Sequence, residues 1–257
     1  MSARLTAVIA IVCTLQGCAA TQTVTRSNGP ALPTRVTADA AELKDAKPRP
    51  SVIYMHGCSG LDGAHAEWAK TISSWGYNVV QPDSLTPRNV QTTCAAKGVG
   101  PVTHRERLND LNDVAEWVKK QPWHKGKVGA IGFSMGAGVV MNAATRGGFE
   151  GYGSFDNKHV DAVVAYYPLC AEEHTRTATI AIQVHVGELD RLTPANRCLV
   201  VKLAGTADVF IYPGVHHSFD VIGANSINRL GYVIRYDHSA AKAAEESTRA
   251  FFEKHLR

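Results

Sequence analysis

From about position 50 onward, short apolar runs alternate with longer segments in which apolar residues recur at helical spacing. Ser51-Val52-Ile53-Tyr54-Met55 reads as a strand, and Ala64 to Trp75 as a helix with Trp68, Ile72 and Trp75 on its apolar face and Gly76 as its stop. Tyr77 to Pro82 is a second strand. His104 to Lys120 is an amphipathic helix whose buried stripe is Leu108, Leu111, Val114 and Val118; the charged residues around that stripe read as a solvated face. Val128 to Phe133 is a strand followed by a helix from Met135. Val160 to Tyr167, Ile180 to Val186 and Asp208 to Tyr212 are further strands, with a helix from Pro194 to Ala204 between the last two. Asp237 or Ser239 caps a final helix that can dock Ala244, Thr248, Phe251, Phe252 and Leu256. Near-continuous apolar strands separated by helices predict an α/β fold, a mostly parallel, doubly wound sheet with helices on both faces.

Two stretches lack this rhythm. Residues 85–103 hold Pro, Gly and Cys94 without periodicity, and a loop of that length in a compact domain is usually functional or clipped down. Gly147 to Lys158 reads as a glycine-rich loop. Residues 18–49 are rich in Thr, Ala, Pro and charge, which suits a tether, part of it available as an edge strand. The expected organisation is a leader over 1–17, a tether over 18–49 and one folded domain over 50–257.

The leader has the form of a targeting segment. Arg4 supplies a short positive region, and Leu5 to Leu15 is apolar but too short to span a bilayer. Leu15-Gln16-Gly17-Cys18 resembles a bacterial lipobox, which implies lipidation at Cys18 and a lipid-anchored, periplasm-facing place in the cell envelope. The alternative is an ordinary secretory signal cut near Ala19-Ala20, giving a soluble periplasmic or secreted protein. Either address is oxidising, and it leaves Cys58, Cys94, Cys170 and Cys198 as an even set. Loop positions favour the pairs Cys58–Cys94 and Cys170–Cys198; the other reading is four unpaired small core residues. The chain of 257 residues is 45% hydrophobic with a formal net charge of +4, an ordinary globular composition. No basic run with interleaved aromatics appears, so nucleic acid is not an expected partner.

The chemistry gathers at the carboxyl ends of the strands, where open α/β sheets place their ligands. Gly132-Phe133-Ser134-Met135-Gly136 is a G-x-S-x-G pattern on a strand-to-helix turn, the form of a nucleophile elbow. Alone, the pentapeptide fits any crowded tight turn. A serine hydroxyl needs a histidine to take its proton, and the histidine needs a carboxylate to fix its tautomer. Asp190 and His217 follow in the order Ser, acid, His, with room for one helix and one strand between them. Glu188 is the rival acid and His216 the rival base. His185 lies mid-strand and reads as a satisfied histidine, while His56 reads as shaping its loop. A metal site from His216, His217 and Asp220 is disfavoured, because adjacent histidines point apart in extended chain; neither metal nor cofactor is expected. Donors for a tetrahedral oxyanion are the amides of Met135, after the nucleophile, and of Cys58, in the loop after the first strand.

Met55-His56-Gly57-Cys58-Ser59-Gly60, Gln81-Pro82-Asp83-Ser84, the Ser134 elbow, Gly187-Glu188-Leu189-Asp190 with Thr193-Pro194, and His217-Ser218-Phe219 together resemble the dienelactone hydrolase family of the α/β-hydrolase fold, from about Pro50 to Leu256. The resemblance favours His217 over His216, and secreted members are similar in having cysteines near 58, 94, 170 and 198. It implies a hydrolase of carboxylic esters or lactones acting through Ser134, Asp190 and His217. The chain departs from the dienelactone-cleaving members at three places: Ser134 stands for their cysteine, Gly57 for a glutamate, and Val221 for an arginine that clamps a substrate carboxylate, a task for which Arg88 is the available substitute. Other readings are a peptidase or acyltransferase on the same triad, or an envelope lipoprotein that keeps the fold for binding.

Overall fold

The computed structural model describes residues 11–14, 17–26, 29–39, 43–94, 101–145, 157, 159–175, 178–228 and 231–257. Its centre is a nine-stranded sheet in the order β1-β2-β3-β5-β4-β6-β7-β8-β9. The strands are β1 (Ile11–Thr14), β2 (Gly17–Val24), β3 (Leu32–Ala38), β4 (Arg49–Met55), β5 (Asn78–Pro82), β6 (His124–Phe133), β7 (Ala162–Tyr166), β8 (Ala181–Gly187) and β9 (Asp208–Tyr212). From β5 across to β9 every pairing is parallel, and β1, β2 and β3 add an antiparallel edge. The helices are α1 (Gly63–Ser74), α2 (His104–Lys119), α3 (Met135–Ala144), α4 (Ala195–Leu203) and α5 (His238–Leu256); a small hairpin of β10 (Asn225–Ile227) and β11 (Val233–Arg235) stands apart.

Parallel strands need crossover helices, and these cover both faces of the sheet, so the strands are apolar throughout. On one face Leu108, Leu111, Val114 and Val118 of α2 pack with Val139 and Val140 of α3 against Ile53, Val163 and Val184. On the other, Trp68 and Ile72 of α1 and Phe251, Phe252 and Leu256 of α5 pack against Val52, Tyr54, Ile131 and Val164. The α/β fold expected from the sequence is the one present, and the elements expected from 51 onward fall within a few residues of their places.

Two expectations are refined. Residues 18–49 do add to the sheet edge, and by more than part of a tether: β2 and β3 fall almost wholly in this span, and β3 pairs with β5 through Thr34 to Thr37. Leu32, Val36 and Ala38 are fully buried in the same core cluster as α2. The composition is that of a linker, but Leu32, Thr34 and Val36 alternate with exposed Pro33 and Arg35, the pattern of a half-covered strand. The charged face of α2 is not wholly solvated. Arg107 and Asp110 are fully buried, because Asp110 meets Arg26 and Arg88, both brought in from other segments. Of the expected leader, only Ile11–Thr14 of β1 and Gly17 are described, and β1 pairs antiparallel with β2; the Cys18 side chain and most of the Gly147–Lys158 loop lie outside the described residues.

Candidate active site

The elbow forms because β6 and α3 meet at very close range. A Cβ at Gly132 would overlap the backbone of Gly136, and one at Gly136 would overlap the carbonyl of Met55. Only glycine permits that approach. Ser134 at the apex has φ 53° and ψ −114°, a left-handed region unusual for a residue with a side chain, and its amide is held by the Tyr166 carbonyl at 3.0 Å. Its carbonyl accepts from Ala137 and Gly138 and so starts α3. The surrounding core over-determines this strained backbone, as functional turns require.

Asp190 closes the turn after β8. Its Oδ1 accepts the amides of Leu192 and Thr193, each at 2.9 Å, and its Oδ2 accepts the Thr193 hydroxyl at 2.7 Å. His217 lies in the loop after β9, where it bridges Ile234 of β11. Its Nδ1 stands 2.6 Å from Asp190 Oδ2 and its Nε2 stands 3.2 Å from Ser134 Oγ. The carboxylate can only accept, so Nδ1 carries the proton and Nε2 is the acceptor for the serine hydroxyl. Asp190 and His217 are both buried.

Glu188, His185 and Arg88 are engaged elsewhere. Glu188 is exposed and accepts the Gly214 amide at 2.9 Å. His185 is fully buried and satisfied, with Tyr212 Oη at 2.8 Å on Nδ1 and Gln183 Oε1 at 2.9 Å on Nε2; burial pushes it down to about 3. His217 is committed to Asp190 and Ser134, while Asp220 accepts Trp68 Nε1–H and Tyr167 Oη–H, each at 2.8 Å. Arg88 is corrected as a substrate clamp. It makes a two-pronged contact with Asp110 at 3.0 and 2.8 Å and donates to the Ser84 carbonyl, so its guanidinium is spent inside the fold.

His56 does shape its loop. Its Nδ1–H donates to the Gly57 carbonyl at 2.7 Å, and its Nε2 accepts the Ser84 amide at 3.3 Å. Burial and the nearby Arg107 guanidinium hold its pKa well below the usual range, so the ring is neutral. The loop it shapes abuts the nucleophile: a Cβ built on Gly57 would stand 3.8 Å from Ser134 Cβ. Cys58 is disulfide-bonded to Cys94, and its carbonyl accepts the Thr93 amide at 2.8 Å. Cys170 is bonded to Cys198. Met135 is the first residue of α3, where a backbone N–H has no intrahelical acceptor.

Ser134, Met135, His217, Gly57, Cys58 and Cys94 line a cleft of about 730 Å³ that also meets Tyr54, His65, Leu169, Val221, Ile227 and Ile234. Sequence reasoning missed the brace behind His217. The Tyr167 ring lies 4.4 Å from the imidazole, Tyr167 has φ 43°, and its hydroxyl is tied to Asp220. Burial raises the Asp220 carboxyl above its ordinary range. The only signal for this brace in the sequence is the position of Asp220, three residues beyond His217.

Residues 36–256 match the dienelactone hydrolase family. A carboxymethylenebutenolidase of Pseudomonas putida is 23% identical over 189 residues, covering 67% of this chain and 75% of that protein. A crystal structure from Klebsiella pneumoniae subsp. pneumoniae superimposes with a TM-score of 0.71 at 17% identity, over 95% of this chain and 99% of that one. Esterase 2 of Thermogutta terrifontis, phosphorylated by paraoxon, superimposes with a TM-score of 0.66 at 15% identity, over 92% and 94% of the two chains. The chain belongs to the dienelactone hydrolase family and is a hydrolase acting on ester bonds.

Proposed function

We propose that the chain cleaves carboxylic esters or lactones through a serine acyl-enzyme. The observation that carries this reading is the placement of His217 between Ser134 Oγ at 3.2 Å and Asp190 Oδ2 at 2.6 Å. Ser134 Oγ attacks the ester carbonyl while His217 Nε2 takes its proton, and Asp190 stabilises the imidazolium that forms. The amides of Cys58 and Met135 are the donors for the oxyanion. Collapse of the tetrahedral intermediate expels the alcohol, which receives the proton from His217 and leaves the acyl group on Ser134. Water then attacks the acyl-enzyme by the same steps, and the acid departs.

The volume of the cleft suits a small ester. Val221 lines it where the dienelactone-cleaving members carry a carboxylate-clamping arginine, which favours esters and lactones without a free carboxylate. Purified protein is expected to hydrolyse short p-nitrophenyl esters, and Ser134→Ala to abolish turnover; retained turnover in that variant would overturn the reading. For the cellular address, the reading is a cell-envelope protein lipidated at Cys18. Cleavage before Cys18 would remove β1 and leave β2 paired along β3. Metabolic labelling with an alkynyl fatty acid, lost in Cys18→Ser, tests it.

A further inference from the structure

Deep beneath the cleft lies a charged network that the triad does not use. Arg107 of α2 is fully buried and donates through Nη2 to the His56 carbonyl at 2.5 Å. Asp110, one turn along α2, is fully buried as well. It is gripped by Arg88 at 2.8 and 3.0 Å and by Arg26 at 2.6 Å. Arg88 Nη1 also donates to the Ser84 carbonyl at 2.6 Å, and the amide of Ser84 donates to His56 Nε2. Two contacts therefore meet on His56: Arg107 on its carbonyl and Ser84, itself held by Arg88, on its ring. A buried cation is costly, and Arg107 has two nitrogens, Nε and Nη1, without a hydrogen-bond acceptor. A leucine there would pack without that cost, so packing alone does not account for an arginine.

The geometry of the loop supplies the reason. His56 Nδ1–H holds the Gly57 carbonyl at 2.7 Å, and the Gly60 amide approaches the same oxygen at 3.5 Å. No described peptide bond is cis. In a trans peptide the C=O and N–H point in opposite directions across a rigid plane. Pinning the Gly57 carbonyl therefore also fixes the direction of the Cys58 N–H, which belongs to the same peptide unit. The Cys58 carbonyl, on the next unit, is pinned by the Thr93 amide at 2.8 Å.

We propose that Arg107 is a positioning residue for catalysis, holding the His56 carbonyl while Ser84 holds the ring, so that the Gly57–Cys58 peptide keeps its N–H aimed at the oxyanion beside Ser134. This rests on the serine-hydrolase reading above and names the device that preorganises one of its two donors. Preorganisation matters because a donor that must reorient during reaction forfeits much of its stabilisation of the transition state.

The test compares Arg107→Met, Arg107→Lys and His56→Ala with wild type, using p-nitrophenyl butyrate turnover and inhibition by phenylboronic acid. The boronate forms a tetrahedral adduct on a catalytic serine, and one of its oxygens lies where the oxyanion forms. Losing a whole oxyanion donor costs about a hundredfold to a thousandfold in kcat, so a donor left in place but unaimed is expected to cost roughly tenfold to a hundredfold. KM should stay near wild type, and the boronate Ki should rise by the same factor as kcat falls. The pH midpoint of kcat/KM should not move, since His217 and Asp190 are untouched. Should Arg107→Met fail to fold, His56→Ala is read in the same way, and Arg107→Lys, which keeps a donor for the His56 carbonyl, is expected to lose less. Unchanged kcat in folded Arg107→Met or His56→Ala overturns the proposal, as does a kcat loss with unchanged boronate Ki. Failure of the underlying reading looks different: Ser134→Ala would keep its turnover, or wild type would ignore the boronate, and the proposal would fall with it.

Discussion

Asp190 gives His217 the oxygen that Thr193 also engages: Oδ2 lies 2.6 Å from His217 Nδ1 and 2.7 Å from the Thr193 hydroxyl. The carboxylate is thus held by its own turn before it holds the imidazole. Asp190→Asn should preserve most of that turn, since the side-chain oxygen can still accept the Leu192 and Thr193 amides. It offers no negative charge to the imidazolium and can present an N–H to Nδ1, which favours the wrong tautomer. Activity is expected to fall roughly a thousandfold to ten-thousandfold, with Glu188→Gln unchanged. Steady-state kinetics on one ester checks both; the reverse ranking would move the acid to Glu188.

The Cys58–Cys94 bridge spans 36 residues of sequence and fastens the loop after β5 to the proposed oxyanion loop. In the chain-entropy account, closing a loop of that length contributes roughly 4 kcal/mol. The double variant Cys58→Ser/Cys94→Ser is expected to lose stability of that order and also to lose kcat, because the Cys58 amide is proposed to contact the oxyanion. Urea unfolding and ester turnover on the same preparation measure both. Lost stability with full kcat would separate the bridge from the site.

Arg26 lies in the segment that composition marks as a linker, yet its side chain is 1% exposed and pairs with a fully buried Asp110. Removing one partner of a buried pair strands the other charge. Arg88 still holds Asp110 in Arg26→Ala, so the expected loss is about 2–3 kcal/mol, below the full cost of an orphaned buried ion. Chemical denaturation of the variant measures it, and a loss near zero would return residues 18–31 to the role of a tether.

His185 gives stability a defined pH dependence. Its folded pKa is about 3 because burial disfavours the charged ring, against about 6.5 in the unfolded chain. Below about 6.5 the unfolded state binds a proton that the native state refuses, so stability falls as pH drops from 6.5 towards 3 and is flat above 7 with respect to this group. At about 1.4 kcal/mol per unit, the loss by pH 4.5 is of the order of 2–3 kcal/mol. His185→Gln should flatten that part of the curve by about one proton. An unchanged slope between pH 6.5 and 4.5 would contradict the assignment.

Much of the site was legible because its chemistry sits at strand ends. Ser134, Asp190 and His217 each follow an apolar run that announces a parallel strand, and the fold brings such ends to one rim. The disulfide partners were legible from their loops. What was not legible depends on partners far away in sequence. Arg107 and Asp110 resemble surface charges on α2 until Arg26 and Arg88 arrive from other segments. The Tyr167–Asp220 contact needs the turn after β7 and the loop after β9 to meet. An edge strand within 18–49 is expected from the sequence, but its place at Leu32–Ala38 and its depth in the core are not, although its alternation of buried and exposed residues was present to be read.

The most direct test of the central claim is to trap the nucleophile. Purified protein is treated with a fluorophosphonate and read by intact mass and peptide mapping while ester turnover is followed. The account predicts one adduct per chain, on the peptide carrying Ser134, with turnover lost in proportion and no adduct in Ser134→Ala. An adduct on another residue, or hydrolysis that survives in Ser134→Ala, would contradict it.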